Sequence, residues 1–158
     1  MTAEHHDRIE EFLYHEASLA DSHAYDEWLS LWDRDGVYWV PCNDDDADPR
    51  THVALIYERY RDLEDRIERL KSGYAHAQEP RSRLSRVVSN VLVSPADDGL
   101  IAVRSVCNIT AFRRGQIDTF SGRVLHRLRQ TADSFRIAAK TVYLVNNDGV
   151  IRNLTFLV

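Results

Sequence analysis

Five side chains could do proton chemistry if the fold brought them together. Tyr14, His15, Tyr25 and Asp26 fall on two early helices, and His126 falls on a later strand; Tyr143, on the strand after it, is a further phenol that could join the five. A histidine, a carboxylate and a phenol converging in a dry pocket can move a proton beside a carbonyl. The same residues also have a structural reading. Asp26 sits in the first turn of its helix, where the macrodipole favours a carboxylate. The sequence therefore nominates them as pocket candidates without requiring catalysis. His5, His6 and Asp7 offer weak metal ligands at a chain start expected to fray. Asp44, Asp46 and Asp48 alternate as in a calcium loop, but the glycine at the sixth position and the glutamate at the twelfth are missing. Asn43 to Arg50 is expected to be a solvated acidic loop. Gly-rich phosphate loops, cysteine pairs at zinc or iron–sulfur spacing and His-Glu-x-x-His are all missing from the sequence. No catalytic, cofactor-binding or metal-ligating residue is expected on this chain.

Arginines form a second constellation. Arg81, Arg83 and Arg86 precede or enter a strand, and Arg123, Arg127 and Arg129 share a strand face with Leu125. Interleaved aromatics of the kind that stack on nucleic-acid bases are missing. Two readings stand: a protein interface, where arginine is enriched and pairs carboxylates bidentately, or a solvated sheet face. Arg83, Arg86, Arg123 and Arg127 are the interface candidates.

The elements that must position these groups are read from periodicity. Ile9, Phe12, Leu13, Glu16, Leu19 and Ala20 mark a helical stripe. Ala24, Tyr25, Trp28, Leu29, Leu31 and Trp32 mark a second helix, stopped by Asp35-Gly36. Val37 to Val40 is a short strand before Pro41. Tyr57, Tyr60, Leu63, Ile67 and Leu70 mark a third helix, with Asp62–Arg66 and Asp65–Arg69 as outward i,i+4 pairs. From Ser85 to Val145, period-two patterning predicts four long strands, separated by Asp97-Asp98-Gly99, Arg114-Gly115 and Ala132-Asp133-Ser134. Phe120, Gly122, Val124, His126 and Leu128 share one face; Phe135, Ile137, Ala139, Thr141, Tyr143 and Val145 are expected to share another. A last strand is expected over Asn153 to Val158. The class is α+β: one domain over 1–158, with a helical cover over about 3–80 and a long-stranded, curved antiparallel sheet over about 83–158. Such a sheet wrapped around helices makes a cone with an open mouth, a place where ligand pockets form.

Composition narrows the function. A chain of 158 residues with net charge −5 and both signs interspersed lacks the basic face of a nucleic-acid binder. No apolar run approaches the roughly 20 residues of a membrane span, and the polar start is unlike a signal peptide. Two cysteines provide no disulfide framework and fit a reducing cytoplasm.

Ordered blocks along most of the chain carry a resemblance. They are Glu16-Ala17-x-Leu19, Tyr25-Asp26-Glu27-Trp28-Leu29-x-Leu31 and Tyr38-Trp39-Val40-Pro41. Next come Leu63-Glu64-Asp65-Arg66-Ile67-x-Arg69-Leu70 with Gly73, then Pro80-x-Ser82-Arg83 and Val88-Ser89-Asn90-Val91. Asp118-Thr119-Phe120-x-Gly122-Arg123 and Asn153-Leu154-x-Phe156-Leu157 complete the set. In these blocks the chain resembles the small (beta) subunit of aromatic-ring-hydroxylating dioxygenases, the Rieske-type non-haem iron oxygenases. The resemblance implies the cone of the nuclear-transport-factor-2-like fold. It implies a non-catalytic subunit supporting a large (alpha) subunit that carries the Rieske 2Fe-2S cluster and the mononuclear iron. It also implies a three-plus-three hexamer built on a trimer of this chain, and NAD(P)H-driven dihydroxylation of an aromatic ring. The rival readings are a stand-alone cone-fold enzyme of dehydratase or isomerase type, and a small-ligand-binding module.

Overall fold

The computed structural model describes residues 2–43, 48–72, 80–96, 98–149, 151 and 154–158. Among the described residues, three helices and six strands follow in the order α1 (Ala3–Asp21), α2 (Tyr25–Ser30), β1 (Trp32–Pro41), β2 (Ala54–Arg59), α3 (Tyr60–Lys71), β3 (Arg83–Pro95), β4 (Ile101–Arg113), β5 (Gln116–Gln130) and β6 (Phe135–Leu144). The strands form one sheet ordered β2-β1-β6-β5-β4-β3. Every neighbouring pair is antiparallel except β1 with β6, which run parallel. The helices cover the inner face, where α1 lies against β3 and α3 against β1 and β2. The expected α+β class and curved sheet around helices are what the chain adopts.

Local chemistry explains most elements. Thr2 Oγ1 accepts from His5 N at 3.3 Å, so α1 is helical from Ala3 and the expected fraying at His5 to Asp7 does not occur. Its stripe of Ile9, Phe12, Leu13, Ala17 and Ala20 is buried. Hairpin β4–β5 turns at Arg114-Gly115, both at positive φ (51° and 79°), the left-handed pair that a tight two-residue turn requires.

Four boundaries differ from the expectation. The second helix stops at Ser30, and Trp32 already belongs to β1, where Ile137 N donates to Leu31 O at 2.8 Å. Trp32 is spent in an aromatic cluster with Trp28 and Tyr38 rather than on a helical stripe. Gly36 is not a helix stop: it lies in β1 where the register with β6 shifts. A Cβ there would meet Asp33 O and Trp32 Cε3 at 2.9 Å each. Tyr57 lies in β2, not in the third helix; α3 begins at Tyr60, where Asp62 Oδ2 accepts from Arg59 N at 3.0 Å. With Asp62 used there, Arg66 pairs with Glu58 (2.6 and 2.8 Å) across the helix–strand joint instead of with Asp62. The expected strand over Asn153 to Val158 does not form: Asn153 lies outside the described residues, and Leu154–Val158 has no regular structure.

Two register shifts change which side chains face inward. In β5–β6, Arg127 pairs with Ala139 but Leu128 with Ile137, so Ala138 is an extra residue. Before it Phe135 and Ile137 are buried; after it Lys140, Val142 and Leu144 are. The expected single face from Phe135 through Val145 therefore breaks at Ala138, because a bulge reverses the alternation of a strand. A second shift in β3, between Ser89 and Leu92 with Asn90 at φ 53°, turns Leu92 outward.

Candidate functional site

Inside the cone the bulge at Ala138 aims Lys140 at α1. Its Nζ donates to Glu16 Oε1 at 2.8 Å, and Trp28 Nε1 donates to the same oxygen at 2.9 Å. His126, directly across from Lys140 on β5, places Nε2 3.6 Å from Glu16 Oε2. All of these side chains are buried. Burial works to raise the Glu16 pKa, but the Lys140 ammonium outweighs it and holds the carboxyl well below the usual carboxylate range. Burial lowers His126 beneath the ordinary imidazole range despite the Glu16 charge, so the ring is neutral at pH 7. The cluster is thus a buried ion pair with a neutral histidine beside it.

Little space adjoins it. The cavity bounded by Glu16, His126, Lys140, Ser105, Val124 and Val158 measures about 20 Å³, room for one water-sized guest. Neither His126 nitrogen nor Ser105 Oγ has a hydrogen-bond partner among the described residues. The mouth is filled by the last residues. Phe156, Leu157 and Val158 are buried; Tyr38 Oη donates to Val158 O at 2.6 Å and accepts from Val158 N at 3.0 Å. Arg86 Nη2 donates to Leu157 O at 2.8 Å, while its Nε and backbone N bind Asp21 at 2.6 and 2.9 Å. The cone is plugged rather than open.

The sequence candidates do not converge. Tyr14 and His15 are exposed on α1. Tyr25 is buried, but its hydroxyl meets His23 Nδ1 at 3.1 Å, where His23 Nε2 also meets Ser82 O at 2.9 Å. Asp26 is exposed and pairs with Lys71 at 3.0 Å. His126 alone of the five faces the interior cluster. The residues that sequence reasoning missed are Glu16 and Lys140. Glu16 stood in plain view as a carboxylate on an apolar helical stripe; Lys140 was hidden by the bulge.

Among the interface candidates, Arg86 is an interior clamp with its side chain 2 % exposed, so it is not open to a partner. Arg83 is exposed, 4.6 Å from the Phe112 ring, Arg123 lies over Tyr143 at 5.4 Å, and Arg127 pairs with Asp98. Arg81 lies over Tyr25 and Arg129 pairs with Asp33 at 2.8 Å. In the acidic loop, Asp44 and Asp46 lie outside the described residues, and Asp48 is bound by Arg50 at 2.9 Å. Near the start of α1, potential ligand atoms of His6, Asp7 and Glu10 lie within 4.8 Å of one another. This set contains no thiolate and does not fit a Rieske cluster.

The comparisons with known proteins decide the family. The model for the ring hydroxylating beta subunit matches residues 15–151. The chain belongs to the ring-hydroxylating beta-subunit family. It is similar to the small subunit of anthranilate 1,2-dioxygenase from Acinetobacter baylyi, 35% identical over 152 residues covering 93% of each chain. It is likewise similar to the small subunit of 2-halobenzoate 1,2-dioxygenase from Burkholderia cepacia, 34% identical over 86% of each. Among solved structures, the beta subunit of benzoate 1,2-dioxygenase from Burkholderia mallei superposes with a TM-score of 0.78 at 29% identity. That match covers 94% of this chain and 95% of that one. A structure described as a putative scytalone dehydratase from Novosphingobium aromaticivorans shares the cone fold alone, with a TM-score of 0.68 at 14% identity over 92% of this chain and 88% of that one. This beta subunit is therefore the small component of a ring-hydroxylating dioxygenase, an enzyme whose iron centres belong to the large oxygenase subunit that it accompanies.

Proposed function

We propose that this beta subunit supports an oxygenase acting on a benzoate-type aromatic carboxylate. The complex is assembled as three large and three small subunits, with the Rieske cluster and mononuclear iron on the large subunit. Support for the substrate class comes from relatives named for anthranilate, 2-halobenzoate and benzoate. The observation carrying the supporting role is the plugged cone: about 20 Å³ beside Glu16, His126 and Lys140 leaves no room for an aromatic ring. Ring binding and oxygen chemistry are then the large subunit's task, and this chain contributes scaffold and contact surface. Two cysteines without a disulfide between them suit a reducing cytoplasm.

The test is co-expression with the neighbouring large subunit, with native mass, iron content and NAD(P)H-dependent turnover of benzoate, anthranilate and naphthalene measured on the complex. A mixed hexamer that turns over the carboxylates and spares naphthalene is expected. Turnover of naphthalene alone would contradict the substrate class, and failure of the two chains to associate would contradict the role.

A further inference from the structure

Buried polar atoms without a hydrogen bond are rare, and each calls for a partner or a reason. Three of them meet at one place in this cone. His126 Nδ1, His126 Nε2 and Ser105 Oγ have no partner among the described residues, although His126 is only 3 % exposed and Ser105 only 5 %. Both side chains line the same cavity of about 20 Å³. Register explains why neither satisfies the other. In the β4–β5 ladder Val103 stands opposite His126 and Ser105 opposite Val124, so the two polar residues are diagonal neighbours on the inner face. Diagonal neighbours stand about 7 Å apart, a gap that two hydrogen bonds through one small molecule can span.

The surroundings select the chemistry of the guest. Glu16 Oε2 faces His126 Nε2 at 3.6 Å and favours the tautomer protonated there, which leaves Nδ1 as an acceptor. A guest must donate to Nδ1 and meet a serine hydroxyl that can donate or accept. Charge narrows the choice. The Lys140 ammonium and the Glu16 carboxylate already neutralise each other at 2.8 Å, so an added ion of either sign would stand uncompensated in a buried space. An apolar guest would leave both polar groups unmet, which is costly. A neutral molecule with both donors and acceptors remains, and a space of this size holds one water. The same cavity is bounded by Val158, whose backbone N and O are both held by Tyr38 Oη.

We propose that one structural water is a further member of the interior cluster, donating to His126 Nδ1 and accepting from Ser105 Oγ, and that it exchanges with solvent when the plug at residues 156–158 lifts. The water lets a neutral histidine stand in the core with its hydrogen bonds made. The site belongs to this chain alone, whichever large subunit it accompanies.

Two measurements on the full chain test it, for wild type, Ser105→Val, Ser105→Ala and Tyr38→Phe, with a thermal melt to verify that each variant folds. Ser105→Val fills the space with methyl groups; Ser105→Ala removes only the hydroxyl and serves if the larger side chain does not fold. The first is a high-resolution crystal structure. One ordered solvent oxygen about 2.8 Å from both Ser105 Oγ and His126 Nδ1 is expected in wild type, and none in either Ser105 variant. A wild-type cavity without ordered density, density with the coordination of an ion, or an oxygen retained in the Ser105 variants would overturn the site. The second is oxygen-17 relaxation dispersion of the solvent, which counts waters held inside a protein and times their release. Wild type should exceed the Ser105 variants by one long-lived water, and equal counts would overturn the site. Tyr38→Phe should keep that water but shorten its residence about tenfold, because the plug loses two hydrogen bonds. An unchanged residence time would overturn the gate.

Discussion

At the residue scale, the centre of the molecule is an ion pair that burial would forbid if either partner were missing. Glu16 receives Lys140 and Trp28 on one oxygen and faces His126 with the other. Removing one member of a buried pair leaves an uncompensated charge, at a cost of about 3–5 kcal/mol. Lys140→Met should lower unfolding stability by that amount in a denaturant titration. The double variant Glu16→Gln/Lys140→Met should recover part of the loss, because neither charge is then stranded. Acid should act in two steps. His126 has a folded pKa below its unfolded value, so the unfolded chain takes up the proton first and stability falls as pH drops below about 6.5. Glu16 is also depressed, so its contribution is complete above about pH 4.5 and is lost on further acidification. Thermal melts from pH 8 to 3 should show both steps, and His126→Gln should abolish the upper one. Glu16 could be read as anomalous from its place on an apolar stripe; its partner could not, because strand parity assigned Lys140 to the wrong face.

At the scale of elements, bulges decide what the sheet presents to each side. Alternation correctly puts Phe120, Gly122, Val124, His126 and Leu128 on one face, which proves to be the inner one, since β5 is regular along that run. It fails in β6, where Ala138 reverses the pattern, and in β3, where the shift near Asn90 turns Leu92 out. A bulge adds one residue without any distinctive composition, so period counting cannot see it. Deleting Ala138 should turn Lys140, Val142 and Leu144 outward, and the variant is expected to lose cooperative unfolding by circular dichroism; a melt like wild type would refute the assignment. The boundaries missed around Trp32 and Tyr57 have a tertiary cause. Both residues fit a helical period, but β1 and β2 recruit them into the sheet. The segment Asn153 to Val158 is expected to be a strand, yet its described part, Leu154–Val158, serves as a plug. Tyr38→Phe removes the hydroxyl that holds Val158 through two hydrogen bonds. It is expected to cost about 1–3 kcal/mol and to speed amide exchange at Val158.

For the whole molecule, the fold class and family were legible because they rest on many ordered blocks and a long alternating pattern. The interior chemistry was less so, because it depends on a single inserted residue in β6. What emerges is a cone whose interior is closed and whose outer sheet face mixes exposed apolar side chains such as Val87 and Leu92 with arginines such as Arg104. Both features suit a subunit that works by contact. The central claim is that the chain assembles with a large oxygenase subunit that holds the iron. Its most direct test is the native mass of the co-expressed complex, with iron counted on each separated chain. Equal numbers of the two chains in one particle, with the iron on the large chain, is the predicted result. A small chain that stays apart from the large one, or that carries iron in stoichiometric amount by itself, would contradict the account.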